Sequence, residues 1–238
     1  MCALLSRSLG CGLVLAAASV VPVLSYGSVV ISDSTFQNAD WTHVEIADTG
    51  SNGTLTVNQQ SAGGNPGSYQ QGIHNWGPGF VSYTHLYAPM GYDPSTQGAI
   101  SSIDFTYDFI TEAVTNPVTG GVSTSFFVTQ GANRWFVNSL TVLAGSSWQT
   151  SALSGIAASD LSGIDFSASG SLIAFGYQTS NSTTQVDGRT STWGIDNWAV
   201  TVNQIGEPNP IPEPSSLLLV VAALVGLSIR ARMTREHA

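Results

Sequence analysis

An antiparallel two-sheet β-sandwich is the fold this sequence predicts, and three observations predict it. Ile103, Phe105, Tyr107 and Phe109 alternate with Asp104, Thr106 and Asp108, the two-residue repeat of a strand with one buried face. Short runs of this kind recur along the chain, separated by turn-forming clusters such as Gly63-Gly64-Asn65-Pro66-Gly67. Between the two ends of the chain, no window of useful length has a strong helical repeat.

In chain order, residues 29–36, 41–47, 53–58 and 80–87 are the first expected strands, with Gly77-Pro78-Gly79 and Asp93-Pro94-Ser95 as turns. Strand 103–109 follows, then 122–130 after Asn116-Pro117, then 134–138 and 139–143. Residues 171–178 and, after Asp187-Gly188, 195–202 complete the set. Residues 157–164 are the one candidate helix, short and interrupted at Gly163. Nine or ten short strands suit a sandwich of jelly-roll form. No internal repeat of a length that would build a propeller or solenoid is visible.

The expected sandwich, residues 28–204, is the size of one ordinary domain. The chain has no lysine, and this segment sets only Arg134 and Arg189 against twelve Asp and Glu. Nucleic acid is excluded as a partner, because its phosphates need Lys and Arg to neutralise them. Anionic lipid and uronic-acid polymers are repelled as well, unless a divalent cation bridges them. Trp41, Trp76, Trp135, Trp148, Trp193 and Trp198 argue for a packed core over disorder.

Both ends read as handling signals. Residues 1–27 carry one charge, Arg7, then an apolar run from Gly10 to Leu24, then small residues at Ser25 and Gly27. That is the layout of a secretory signal peptide cut before Ser28 and passed through the Sec translocon. Cys11 stands at the start of the apolar run, whose length follows it and does not lead up to it, which rules out lipid attachment there, and Cys2 and Cys11 both leave with the leader. The mature chain is then free of disulfides. At the other end, residues 205–214 are a linker with Pro208, Pro210, Pro212 and Pro214, favouring a stiff extended stalk. Residues 215–238 hold a 13-residue apolar run, Leu217 to Ile229, and a basic tail with Arg230, Arg232 and Arg235. The run is shorter than the roughly 20 residues that span a bilayer comfortably, and the arginines would stop it on the cytoplasmic side.

Pro212-Glu213-Pro214, a short apolar helix and a basic end, in that order, resemble the PEP-CTERM sorting tail of Gram-negative envelope proteins. The resemblance implies that an inner-membrane exosortase recognises Pro212, Glu213 and Pro214 and cleaves beside them. The chain would sit in the inner membrane before processing, and at the cell surface or in the extracellular matrix afterwards. An anchor that is never cut is the alternative. In the body, residues 61–69 and Trp193-Gly194-Ile195-Asp196-Asn197-Trp198-Ala199-Val200 resemble secreted jelly-roll domains of the concanavalin-like and galactose-binding-like group. That group implies a carbohydrate-binding module, with some glycosidases and lyases among its members, and the fold alone does not choose.

Three readings of function stay open. A glycosidase needs two carboxyls about 5–5.5 or 6.5–9.5 Å apart. Asp104 and Asp108 share a strand face but stand roughly 13–14 Å apart, so any pair must come from neighbouring strands. His43, His74 and His85 lie in no metalloprotease pattern, and no Gly-x-Ser-x-Gly elbow is present, so the expectation is a non-enzyme. For binding, Gly72-Ile73-His74-Asn75-Trp76-Gly77-Pro78-Gly79 sets an aromatic ring beside hydrogen-bonding side chains, which suits a sugar in an extracellular polysaccharide. His74, Asn75 and Trp76 are the first candidates, with Tyr87 and Tyr92 behind them. Against this, Trp76 would cap one end of the sandwich while His74 and Asn75 satisfy loop backbone.

Asp196 shares the parity of Trp198, Val200 and Val202, so it is expected to point coreward, where a lone carboxylate is costly. A structural calcium completed by Asp33 or Asp40 is one answer, a turn-capping aspartate the other. The third function is a passive matrix protein with no small-ligand site.

Overall fold

The computed structural model describes residues 27–50, 52–115, 120–184 and 188–205. The expected leader, most of the proline linker, the motif Pro212-Glu213-Pro214 and the tail arginines Arg230, Arg232 and Arg235 lie outside the described residues.

Among the described residues, eleven strands form two antiparallel sheets. The first sheet runs β3 (Thr54–Gly64), β4 (Gly67–Trp76), β11 (Arg189–Gln204), β6 (Ile100–Thr115), β9 (Gln149–Ile156). β1 (Ser28–Asp33) also lies on β11, pairing Ser28 with Asn203 and Asp33 with Trp198, beyond the stretch that β4 occupies. The second sheet runs β2 (Trp41–Asp48), β5 (Gly79–Tyr87), β10 (Ala174–Thr183), β7 (Gly121–Gln130), β8 (Asn133–Leu143). The chain crosses repeatedly between sheets, so most pairings are long-range, as in a jelly roll.

Alternation works as expected in β6: Ile103, Phe105, Tyr107 and Phe109 are all buried in the central core. From the facing sheet, Phe126, Phe175 and Tyr177 meet them, with Phe105 stacked on Phe126 at 4.8 Å between ring centres. Aromatic pairs in such geometry add about 0.5–1.5 kcal/mol beyond the area they bury.

Four sequence expectations are corrected. β4 and β9 are strands that the pattern did not reveal. The expected strands 134–138 and 139–143 are one strand, β8, bent at Asn138 with φ 55°. Residues 157–164 hold only a single 3₁₀ turn, Ala158–Asp160, while one short helix, Pro94–Gln97, stands where a turn was expected. In β11 the parity switches: Trp193 and Ile195 are buried, and so are Trp198, Val200 and Val202. The register against β6 shifts between Asp196 and Ala199, and Asn197 adopts φ 51°. This bulge turns Asp196 to the outer face of the first sheet, against the expectation that it points coreward.

Candidate functional site

The structure takes the expected sugar loop apart. Residues 72–76 are the second half of β4, so successive side chains go to opposite sides of the first sheet. His74 is completely buried between the sheets and is no surface ligand. Trp76 is also buried, closing one end of the sandwich with Val81 and Tyr83. Asn75 alone faces out, accepting a hydrogen bond from Thr190 Oγ1 at 2.6 Å. Asn75 and Trp76 do line an open hollow of about 450 Å³, shared with Asn52, Gly77, Gly188, Arg189 and Thr190. Tyr92 is buried too, its hydroxyl donating to the Gln97 and Gly98 carbonyls, which excludes it from a binding surface. Tyr87 packs on Trp41 and Trp198, and its phenol pKa is raised by burial and then by Asp33 and Asp40.

His74 belongs to a buried polar relay through the sandwich. His43 Nδ1 meets His85 Nδ1 at 2.8 Å, and His85 Nε2 meets Thr179 Oγ1 at 2.8 Å. Thr179 Oγ1 meets His74 Nε2 at 3.1 Å, and His74 Nδ1 meets Asn181 Oδ1 at 2.5 Å. Asn181 Nδ2 then donates to the Gly121 carbonyl at 2.9 Å. One assignment of protons gives each contact a single donor. Asn181 Oδ1 can only accept, so His74 Nδ1 donates and its Nε2 accepts from Thr179; Thr179 accepts from His85 Nε2, and His85 Nδ1 accepts from His43. All three imidazoles are then neutral. Burial lowers the pKa of His43 and of His74 to about 4 and holds His85 well below the ordinary imidazole value, with His43 and His74 adding to its fall. Gly72 is required nearby, since a Cβ there would lie 2.0 Å from Trp193 Cζ2.

The expected calcium ligands are not brought together. Asp33 is buried on the core side, where Oδ1 accepts from Thr35 N, Thr35 Oγ1 and Phe36 N and Oδ2 accepts from Trp41 Nε1 at 2.8 Å. Asp196 lies on the opposite face, accepting from the Asn65 and Asn197 backbone N–H groups. Asp40 follows β1 and spends its carbonyl on Ala88 N. No group of three or more His, Cys, Asp or Glu gathers for a metal among the described residues.

Asp196 does have a carboxylate neighbour: Asp108 is its register partner on β6. Burial raises the Asp196 pKa against those two N–H groups, and Asp108 adds to the rise. Asp108 accepts from Thr150 Oγ1, Asn197 Nδ2 and Asn65 Nδ2 at 2.5, 2.7 and 3.2 Å. Both acids therefore clasp the turn between β3 and β4, and neither is open to substrate. This cross-strand pair serves as a latch on that turn.

A surface with the geometry for a polymer lies on the outer face of the second sheet. On β5, Val81, Tyr83 and His85 point inward, so Ser82 and Thr84 point out, and Gln178 Nε2 donates to Ser82 Oγ at 2.6 Å across the same face. Ser82, Thr84, Ser125 and Phe127 point outward yet are only 0%, 3%, 6% and 1% exposed. The accessible part of this face, called the trough below, is therefore Val44, Gln178 and Phe136, standing over a base of side chains that are already buried. One row across it reads Val44, Thr84, Gln178, Ser125; the next reads Leu86, Gly176, Phe127, Phe136. Gly176 lies between Leu86 and Phe127 in that row because a Cβ there would stand 2.0 Å from the His85 carbonyl oxygen, and the Phe127 and Phe136 ring centres are 5.1 Å apart. Phe136 stays 40% exposed at the rim. None of these residues stood out in the sequence; the signal was the small, polar outer positions of β5, β7 and β10 around a lone glycine.

No family model matches the chain, and no curated protein is similar to it in sequence. Among solved structures, it is similar to the family 11 carbohydrate-binding module from Clostridium thermocellum in complex with a β-1,3-1,4-mixed-linked tetrasaccharide. Identity is 11% over 77% of this chain and 99% of that one, with a TM-score of 0.43. It is also similar to the CBM22-1 xylan-binding domain from Paenibacillus barcinonensis, at 8% identity over 77% of this chain and 99% of that one, with a TM-score of 0.42.

Proposed function

We propose that this chain is an exported, non-catalytic surface or matrix protein that holds a neutral polysaccharide in the trough of its second sheet. The trough carries the reading: the Gln178 amide and the Phe136 ring stand accessible on one face, over the buried hydroxyls of Ser82, Thr84 and Ser125. A sugar presents an apolar ring face and a rim of hydroxyls, and these two kinds of surface are its complement. The floor is uncharged, and twelve acids against two arginines disfavour an acidic polymer. Non-catalysis is supported by the burial of Asp108 and Asp196 beneath the turn they hold. Export and sorting are supported by the leader and by Pro212-Glu213-Pro214 before its helix and arginines.

Affinity electrophoresis of the purified protein in gels of neutral and acidic polysaccharides tests the binding. Retardation on a neutral polymer is expected, without release of reducing ends, and Phe136→Ala weakens it about tenfold, the worth of one aromatic platform. Free migration in every neutral polymer would leave the passive matrix protein as the better reading. Pro212→Ala with Pro214→Ala is expected to leave the chain in the inner-membrane fraction; normal release would remove the exosortase assignment.

A further inference from the structure

We propose a second glycan site on the opposite face of the sandwich, selective for amino sugars that carry free ammonium groups. It is built from Tyr69 and Gln71 on β4, Glu112 on β6 and Trp148 just before β9, and it is independent of the trough. The outer face of the first sheet seats the Tyr69 ring over Gly194, where a Cβ would approach ring atom Cε2 to 2.8 Å. The Tyr69 hydroxyl donates to Glu112 Oε1 at 2.6 Å, and Gln71 Nε2 donates to Glu112 Oε2 at 2.6 Å. Gln71 is itself held, its Oε1 accepting from Gln60 Nε2 at 3.2 Å. Trp148 stands edge-on to the same Tyr69 ring, 5.5 Å between centres at 87°, and remains half exposed.

Each feature points to a cation as occupant. Glu112 is oriented by two donors, but both are uncharged, so its negative charge is left without a counter-charge from either. Each carboxylate oxygen accepts more than one hydrogen bond, so capacity for a charged donor remains. An aromatic ring beside an oriented carboxylate is the pairing an ammonium needs: ring quadrupole on one side, charge-assisted hydrogen bond on the other. The surrounding field has the same sign, with twelve acids against two arginines in residues 28–204, a net −10. A metal ion is a poorer occupant, because no group of three or more metal-binding side chains gathers among the described residues. An acidic sugar would meet the carboxylate and the field together. A chain with a neutral-glycan trough on one face and an ammonium site on the other would bridge two polymer strands.

The test is calorimetric titration of the purified full-length protein with a glucosamine tetramer and with its fully N-acetylated counterpart, at low and at moderate salt. The glucosamine tetramer is expected to bind one site, more weakly at higher salt. Trp148→Ala and Glu112→Gln should each weaken it at least tenfold, while Trp148→Phe recovers part of the loss. Asp160→Asn, which removes an exposed acid elsewhere, and Phe136→Ala should leave it unchanged. Equal binding by Glu112→Gln and wild type would show a diffuse charge effect and overturn the site. So would binding of the acetylated tetramer alone, or no binding of either. Melting temperatures of each variant separate lost contacts from lost folding. Loss of neutral-polymer retention in Phe136→Ala with amine binding intact supports both faces. Amine binding without any neutral-polymer retention leaves this site standing and removes the trough.

Discussion

Acidification from pH 7.5 to 5 is expected to destabilise this protein by about 3 kcal/mol through its buried imidazoles. His74 carries the firmest part. Its pKa is about 4 in the folded chain, chiefly from burial, against an ordinary 6.5. Below pH 6.5 the unfolded chain takes up a proton that folded His74 refuses, so stability is lost as pH falls toward the folded value. The loss for His74 is about 2 kcal/mol by pH 5 and about 3 by pH 4. His43 has the same direction and a pKa of about 4, but part of it is open to water, so about 1 kcal/mol is its share at pH 5. His85 adds in the same direction. Protonation also breaks the relay itself, since a charged His74 would aim an N–H at Thr179, whose hydroxyl already points toward it. Urea unfolding followed by tryptophan fluorescence at both pH values reads this directly, as a midpoint lower by about 1 M or more at pH 5. His74→Gln lowers stability at pH 7.5 but should lose about 2 kcal/mol of the pH dependence. An identical pH dependence in wild type and His74→Gln, or a wild-type midpoint that does not move, would refute the neutral relay.

Two further outcomes follow from packing and from Asp33. Gly72→Ala forces a methyl into the Trp193 ring and is expected to cost about 1–3 kcal/mol in urea titration; an unchanged midpoint would mean that Gly72 and Trp193 are not register partners on adjacent strands as described. Asp33→Ala strands the Phe36 N–H and the Trp41 indole N–H, at about 1–3 kcal/mol each, and should lower the melting temperature by several degrees. A chelator should leave the wild-type melting temperature where it is, because Asp33 is already saturated by protein donors; a clear fall would restore the calcium expectation.

β6 was legible because its inner positions are apolar and its outer ones polar, so periodicity alone marks the strand and its core face. β4 was not, because its inner positions are Gln70, Gly72, His74 and Trp76, and the rule that inner means apolar fails there. Those residues are tolerated inside only because the other sheet supplies Tyr177 for Gln70 and Thr179 and Asn181 for His74, while the Trp193 ring of the adjacent strand β11 covers Gly72. The same blindness sent the candidate sugar ligands astray, since a loop was expected where a strand alternates His74 inward and Asn75 outward.

Sequence by itself determined the all-β class, the acidic lysine-free body and the export and sorting expectations, because composition and short-range periodicity are properties of neighbours in the chain. The tertiary structure alone decided which face each polar residue serves. Asp196 turns outward through one extra residue at Asn197, a register shift that exists only against β6. Tyr69, Glu112 and Trp148 meet only because β4, β11, β6 and β9 are neighbours, and the trough exists only because β5, β10 and β7 align their small outer side chains. Pairings between strands so far apart in sequence leave no local trace, because they are set by the closing of two sheets on one core.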